Sequence, residues 1–242
     1  RLLNISNEYE VLFLQGGATH QFTMIPQNLS RNGPVDYLIT GGWSKKAASY
    51  AQQQIEVNIV SDSSENNYTD LDDQDTWNIN SDSDYFYYCA NETVHGVEIH
   101  NSIKVKTPLV CDMSSTILSR PIDVSNYGVI YAGAQKNIGV SGLTVVIVRE
   151  DLIGEVVQHQ PVLFDYSTQS NNDSMYNTPC TFAWYTAALV FEWLKELGGI
   201  ESITQHNNNK SQLLYKAIDH SDFYSNNVAT RFRSRMNVPF FT

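Results

Sequence analysis

Long hydrophobic runs are absent from this 242-residue chain. None approaches the roughly 18 apolar residues that a membrane-spanning helix requires, so no membrane role is expected. Basic residues are scarce: 15 Lys and Arg stand against 26 Asp and Glu, a net charge of −11. A nonspecific nucleic-acid binder carries the opposite excess, so that class is disfavoured. Cysteine is limited to Cys89, Cys111 and Cys180, an odd, widely spaced set without a Cys-x-x-Cys pair. Neither a disulfide framework nor a metal site is expected, and a reducing compartment such as the cytoplasm fits. No leader segment is visible, so the six Asn-x-Ser/Thr sequons, in a chain with 22 Asn, read as chance matches. Internal repeats are lacking too.

What is present is an ordinary globular composition, 42% hydrophobic and 17% charged, long enough for one or two domains with a sizeable core. The acid excess is local. Ser61 to Asp84 carries eight acidic residues and no Lys or Arg, which reads as a solvated surface loop. Without that stretch the remainder is close to balanced, so net charge is not a functional signal. The chain opens on Arg1-Leu2-Leu3-Asn4 without Met and stops in strand-like Asn237-Val238-Pro239-Phe240-Phe241-Thr242. Both ends look cut, as in a fragment of a longer protein.

Hydrophobic patterning alternates between two periods. Val11-Leu12-Phe13-Leu14, closed by Gly16-Gly17, suits a buried parallel strand and tight turn. Phe22, Ile25 and Leu29 then recur at helical spacing, which Pro26 weakens or kinks. Further strands are expected at residues 37–40, 57–60, 85–89, 109–111, 129–132 and 144–148, and a helix at 44–53. In the second half, Phe182, Tyr185, Leu189, Trp193 and Leu197 form one apolar helix face, stopped by Gly198-Gly199. A weaker helix follows over 200–218. Strands alternating with helices indicate an α/β fold with a mostly parallel sheet.

In such sheets ligands bind beyond the carboxyl ends of the strands. Four places there carry polar or aromatic chemistry. Gly16-Gly17-Ala18-Thr19 opens a helix and offers free N–H groups to an anion, although most such turns are only tight turns. Asp112 directly follows a buried strand; it is either a cap or loop residue, or the partner of a cation or protonated ring nitrogen. Lys136 sits in a Gly-rich turn between two apolar strands. It is either a solvated surface charge or a desolvated amine with a lowered pKa, nucleophilic toward carbonyls. Trp43, after Gly41-Gly42, is either a core plug or a stacking plate. Together these are the parts that a pyridoxal phosphate site requires.

Longer runs narrow the choice. They are Phe13-Leu14-Gln15-Gly16-Gly17-Ala18, Thr40-Gly41-Gly42-Trp43-Ser44 and Tyr88-Cys89-Ala90-Asn91-Glu92-Thr93-Val94-His95-Gly96. Cys111-Asp112-Met113-Ser114-Ser115, Ser119-Arg120-Pro121-Ile122-Asp123-Val124 and Ala134-Gln135-Lys136-Asn137-Ile138-Gly139 follow, then Tyr176-Asn177-Thr178-Pro179 and Arg233-Ser234-Arg235-Met236-Asn237-Val238. In this wording and order the chain resembles the phosphoserine aminotransferase family, pyridoxal-phosphate-dependent enzymes of fold type I. The resemblance implies a large cofactor-binding domain over residues 1–220, a mostly parallel mixed sheet between helices, and only the start of a small C-terminal domain over 221–242.

Carried over by position, the resemblance makes Lys136 the lysine that anchors the cofactor aldehyde and shuttles a proton. Asp112 becomes the partner of the ring nitrogen, Trp43 the stacking plate, and Thr93 a contact to the phenolic side. Ala18, Thr19 and Gln135 hold the phosphate, and Asn177 and Thr178 serve the partner's site in a homodimer. The implied reaction passes an amino group from L-glutamate to 3-phosphohydroxypyruvate in serine biosynthesis. Thr19-His20, Val140-Ser141 and Cys180 depart from common family wording. The family's substrate-gripping Arg residues lie outside the matched runs, and Arg231, Arg233 and Arg235 match a strand opening the small domain. A truncated, inactive pyridoxal-phosphate-binding form is the alternative; a desulfurase-like activity is disfavoured because no cysteine is clearly on a mobile loop.

Overall fold

Alternation along the central strands feeds two separate cores. In this computed structural model, which describes residues 2–154 and 160–242, Leu12 and Leu14, Tyr85 and Tyr87, Val129 and Tyr131, and Val146 and Val148 face one side of a sheet. Phe86 and Tyr88, Leu109 and Cys111, Ile130 and Ala132, and Val145 and Ile147 face the other. Strand side chains alternate between faces, so a sheet covered on both sides is apolar at nearly every position.

The strands are β1 (Tyr9–Gln15), β2 (Val35–Ile39), β3 (Val57–Asp62), β4 (Phe86–Cys89), β5 (Asn91–Glu92), β6 (Val97–Glu98), β7 (Leu109–Asp112), β8 (Val129–Gly133) and β9 (Leu143–Arg149). The helices are α1 (Ala18–Leu29), α2 (Gly42–Ala51), α3 (Tyr166–Ser170), α4 (Thr181–Glu196) and α5 (Gly199–Asp219). Seven strands form one sheet in the order β1-β9-β8-β7-β4-β2-β3, and β5 and β6 form a separate hairpin. α1, α2 and α3 contribute to the first core, and α4 and α5 to the second. The strands and helices expected from hydrophobic patterning are present within two residues of their expected bounds, and α1 runs through Pro26. Left-handed Gly198, at φ 99°, separates α4 from α5.

β9 alone runs against the other six strands, pairing antiparallel with β1 and β8. β1 therefore departs from the expected buried parallel strand: it is an edge strand whose single sheet neighbour is antiparallel. Its apolar run looked continuous because the edge is also covered on both faces, Val11 and Phe13 packing with Leu2, Leu3, Ile5 and Trp184. The first core buries tyrosines in pairs. The hydroxyls of Tyr37 and Tyr85 lie 3.0 Å apart, and those of Tyr87 and Tyr131 2.8 Å apart. Each phenol thereby satisfies another that water does not reach.

Two further expectations are corrected. The predicted apolar face of α4 points outward: Phe182 is 66% exposed, Tyr185 62% and Trp193 52%. The sheet instead receives Ala183, Ala187 and Leu194, with Val190 and Phe191 partly covered. A helix apolar almost all round has no unique inward stripe, and small residues permit the closer approach. The acidic stretch is also more than a solvated loop. Leu71 is buried, Trp77 stacks on Phe86, and Asp70 and Asp73 pair with Arg231 at 3.0 and 3.1 Å.

Residues 221–242 lie against the β5–β6 hairpin, with Val97 bridging Arg233. Glu98, on β6, is buried with Arg235 at 2.6 Å and Arg120 at 3.3 Å. Burial alone would raise its carboxyl; hydrogen bonds from His100 and Arg235 overcome this and push it down to about 2. A depressed acid contributes stability that is present above the ordinary glutamate pKa of about 4.3 and lost as pH falls toward 2. In urea unfolding, Glu98→Gln is expected to flatten that part of the stability–pH profile relative to wild type. Leu194→Ala is expected to cost about 2–5 kcal/mol, and Phe182→Ala clearly less, because the first opens a core cavity and the second trims an exposed face.

Candidate active site

Six strands sharing one direction place the ends of β1, β2, β4, β7 and β8 along one edge of the sheet. A cavity of about 520 Å³ opens there, lined by Ala18, Thr19, Trp43, Thr93, Asp112, Gln135 and Lys136 among others. These are seven of the nine residues singled out from sequence. The other two, Asn177 and Thr178, are exposed and outside the cavity, with the Thr178 carbonyl accepting from Gln15 Nε2. A separate apolar cavity of about 310 Å³ between Leu3, Phe13, Ile147 and Phe191 has Lys195 as the only charged lining residue among those described.

Asp112 is the last residue of β7 and only 5% exposed. Its carboxylate accepts the Ser114 N–H at 2.8 Å. Burial pushes its carboxyl above the usual range, against the pull of the Ser114 hydrogen bonds and the Lys136 charge. A carboxylate held in this way is set to take a cationic partner. The hydroxyl of Ser114 accepts from Gly133 N–H at 3.0 Å, tying the end of β8 to the Asp112 loop.

Lys136 follows β8 in a turn closed by Gly139 N–H on the Ala134 carbonyl at 2.7 Å. Of the two readings of Lys136, the structure shows the solvated one: the residue is exposed, its ammonium donating to the Thr93 hydroxyl. The small neighbours in sequence shape the turn, while the side chain leaves it toward the cavity.

Trp43 stands in the first turn of α2, and an unanticipated residue sets its place. Glu92 is fully buried and accepts from Trp43 N–H at 2.9 Å, Ser44 N–H at 2.8 Å and Ser44 Oγ at 2.6 Å. The helix N-terminus supplies the positive end that a buried carboxylate needs. Burial raises the Glu92 carboxyl and these donors pull it back. A Cβ on Gly41 would lie 2.4 Å from Glu92, so glycine is required for the approach. Only the adjacency Asn91-Glu92-Thr93 hinted at this role, since the helix it caps lies 48 residues away. Asn91 and Ser115 also line the cavity unanticipated, joined by a 2.8 Å hydrogen bond.

At the start of α1, Gly16 has φ 103°, the left-handed region that glycine tolerates. Among the described residues the Ala18 and Thr19 N–H groups have no acceptor in the protein. The donor set fits pyridoxal phosphate: free N–H groups for a phosphate, a flat half-buried indole, a buried carboxylate for a protonated ring nitrogen and an amine for an aldehyde. Arg231, Arg233 and Arg235 are each engaged elsewhere, with Asp70 and Asp73, Asp219, and Glu98 respectively. The strand expected around them is instead a short 3₁₀ turn, Thr230–Phe232, and one bridge at Arg233.

Glu92→Ala strands the Trp43 and Ser44 N–H groups and is expected to cost about 1–3 kcal/mol in urea unfolding. Glu92→Gln keeps an acceptor and is expected to lose less.

The sequence pattern of the class-V aminotransferases matches residues 1–242. Phosphoserine aminotransferase of Ruthia magnifica is 58% identical over 240 residues, covering 99% of this chain and 67% of that protein. The corresponding protein of Ectopseudomonas mendocina is 52% identical with the same coverage. A pyridoxal-phosphate-bound phosphoserine aminotransferase from Trichomonas vaginalis superposes with a TM-score of 0.96 at 42% identity, covering 99% of this chain and 72% of that one. The chain belongs to the class-V aminotransferases and, within them, to the phosphoserine aminotransferase family.

Proposed function

We propose that this class-V aminotransferase chain moves an amino group from L-glutamate to 3-phosphohydroxypyruvate, giving 2-oxoglutarate and O-phospho-L-serine. One observation carries the reading. Among the described residues, the two charged ones of the cavity lining, Asp112 and Lys136, share that cavity with a free helix N-terminus and an indole plate. The family supports pyridoxal phosphate as cofactor. Such a cofactor supplies an aldehyde for amines and an electron-accepting ring for the substrate α-carbon.

The chain's own residues do the rest. Ala18 and Thr19 N–H groups, the Thr19 hydroxyl and Gln135 hold the phosphate. Trp43 would stack on the cofactor ring, its backbone N–H held by Glu92 at the start of α2. Asp112 supplies the negative charge for a protonated ring nitrogen, and Ser114 keeps that carboxylate oriented. Thr93 serves the phenolic side and steadies the Lys136 ammonium. With the cofactor bound, Lys136 would anchor its aldehyde carbon, and the Nζ, once released as a neutral amine, would move a proton between the substrate α-carbon and that carbon. General acid–base transfer of this kind contributes about 10²–10⁴-fold.

The assignment extends to assembly. Asn177 and Thr178 are proposed to reach the phosphate of a second subunit in a homodimer; their exposure outside their own cavity supports this. The outward apolar face of α4 is in keeping with a covered surface. Residues 1–220 are read as the large domain and 221–242 as the opening of a small one. Three free cysteines among the described residues favour a reducing, cytoplasmic setting.

Absorption spectroscopy tests the reading. Adding pyridoxal phosphate to the purified protein is expected to give a visible band that Lys136→Ala abolishes. Glutamate is expected to bleach that band, with 2-oxoglutarate released. A band unresponsive to glutamate would confine the protein to cofactor binding.

A further inference from the structure

The proposed cofactor site uses Ala18 and Thr19 but leaves the next residue, His20, without a task. His20 is the third residue of α1, and its exposed ring turns back over the glycine pair. Nδ1 lies 3.2 Å from both the N and the O of Gly17. The Gly17 carbonyl already receives the His20 N–H at 2.9 Å. With the ring proton on Nε2, Nδ1 accepts the Gly17 N–H, so His20 satisfies both backbone groups of the residue that precedes the helix. The ring also fills the place of a side chain at position 16, where a Cβ would lie 2.6 Å from Nδ1 and 2.7 Å from Cε1.

We propose that His20 is a positioning residue for the phosphate end of the cofactor. It locks the Gly16–Gly17 turn so that the next two N–H groups, of Ala18 and Thr19, are held together for one phosphate monoester. Two adjacent glycines otherwise leave that turn with more backbone freedom than any other pair. A helix start is commonly closed by Glu or Gln at this third position accepting from the N-cap N–H. Glutamate would set a negative charge beside the phosphate. An imidazole accepting through Nδ1 closes the turn without a carboxylate's repulsion, which gives the departure Thr19-His20 a physical purpose. The inference rests on the cofactor assignment proposed above.

Equilibrium dialysis with pyridoxal phosphate and with pyridoxal, which lacks the phosphate, separates the possibilities. His20→Ala is expected to weaken pyridoxal phosphate about five- to tenfold, the size of one helix-cap interaction, and to leave pyridoxal unchanged. His20→Gln is expected to restore binding to within about twofold of wild type. His20→Glu is expected to stay weak for pyridoxal phosphate while keeping pyridoxal, because it closes the turn but repels the phosphate. Unchanged affinity in His20→Ala, equal loss of both ligands, or no rescue by Gln would overturn the role of His20 alone. A wild-type protein that takes up neither ligand would overturn the cofactor assignment and this inference with it.

Discussion

Glu92 has no exposed surface, and its carboxylate lies against three donors at the start of α2. Much of the site depends on that contact. The residue before it, Asn91, reaches Ser115 beyond β7 and Asn237 near the end of the chain, both at 2.8 Å. The residue after it, Thr93, receives the Lys136 ammonium. Three consecutive residues thus join the indole plate, the Asp112 loop, the C-terminal segment and the lysine turn. An unpaired buried carboxylate is costly, so the start of α2 cannot drift without exposing Glu92 or leaving it unsatisfied.

The sheet makes this junction possible. Because β9 alone is reversed, the loops after β1, β2, β4, β7 and β8 meet at one edge. The strands there are short, and beyond their ends the Glu92 and Asp112 carboxylates meet the N–H groups of Trp43, Ser44 and Ser114. Both faces are covered, so this edge is the place where polar chemistry meets a cavity without crossing a core. The paired tyrosine hydroxyls beneath it keep the first core free of unsatisfied phenols.

The misreadings share one cause. Periodicity on α4 found an apolar face but not the direction of the sheet, which Ala183 and Ala187 approach more closely than Phe182 or Tyr185 would allow. The charges of the acidic stretch were counted correctly, yet Arg231, partner of Asp70 and Asp73, stands more than 150 residues away. The small neighbours of Lys136 left open whether its amine is solvated or desolvated, because exposure depends on where the turn releases the side chain.

Local sequence by itself determined the strands and helices, the glycine turns at the strand ends and the residue types able to build a cofactor site. Those follow from backbone geometry and spacing over a few residues, where hydrophobic period and glycine freedom act. The family wording added roles for nine positions, and seven of them line one cavity. Tertiary structure alone decided that β1 is an antiparallel edge, which face of α4 packs inward, that Glu92 caps a helix 48 residues away, and that His20 folds over Gly16. Each is a choice between partners equally compatible with the local pattern, settled when the chain closes on itself by which surfaces pack closest and which polar groups find counterparts.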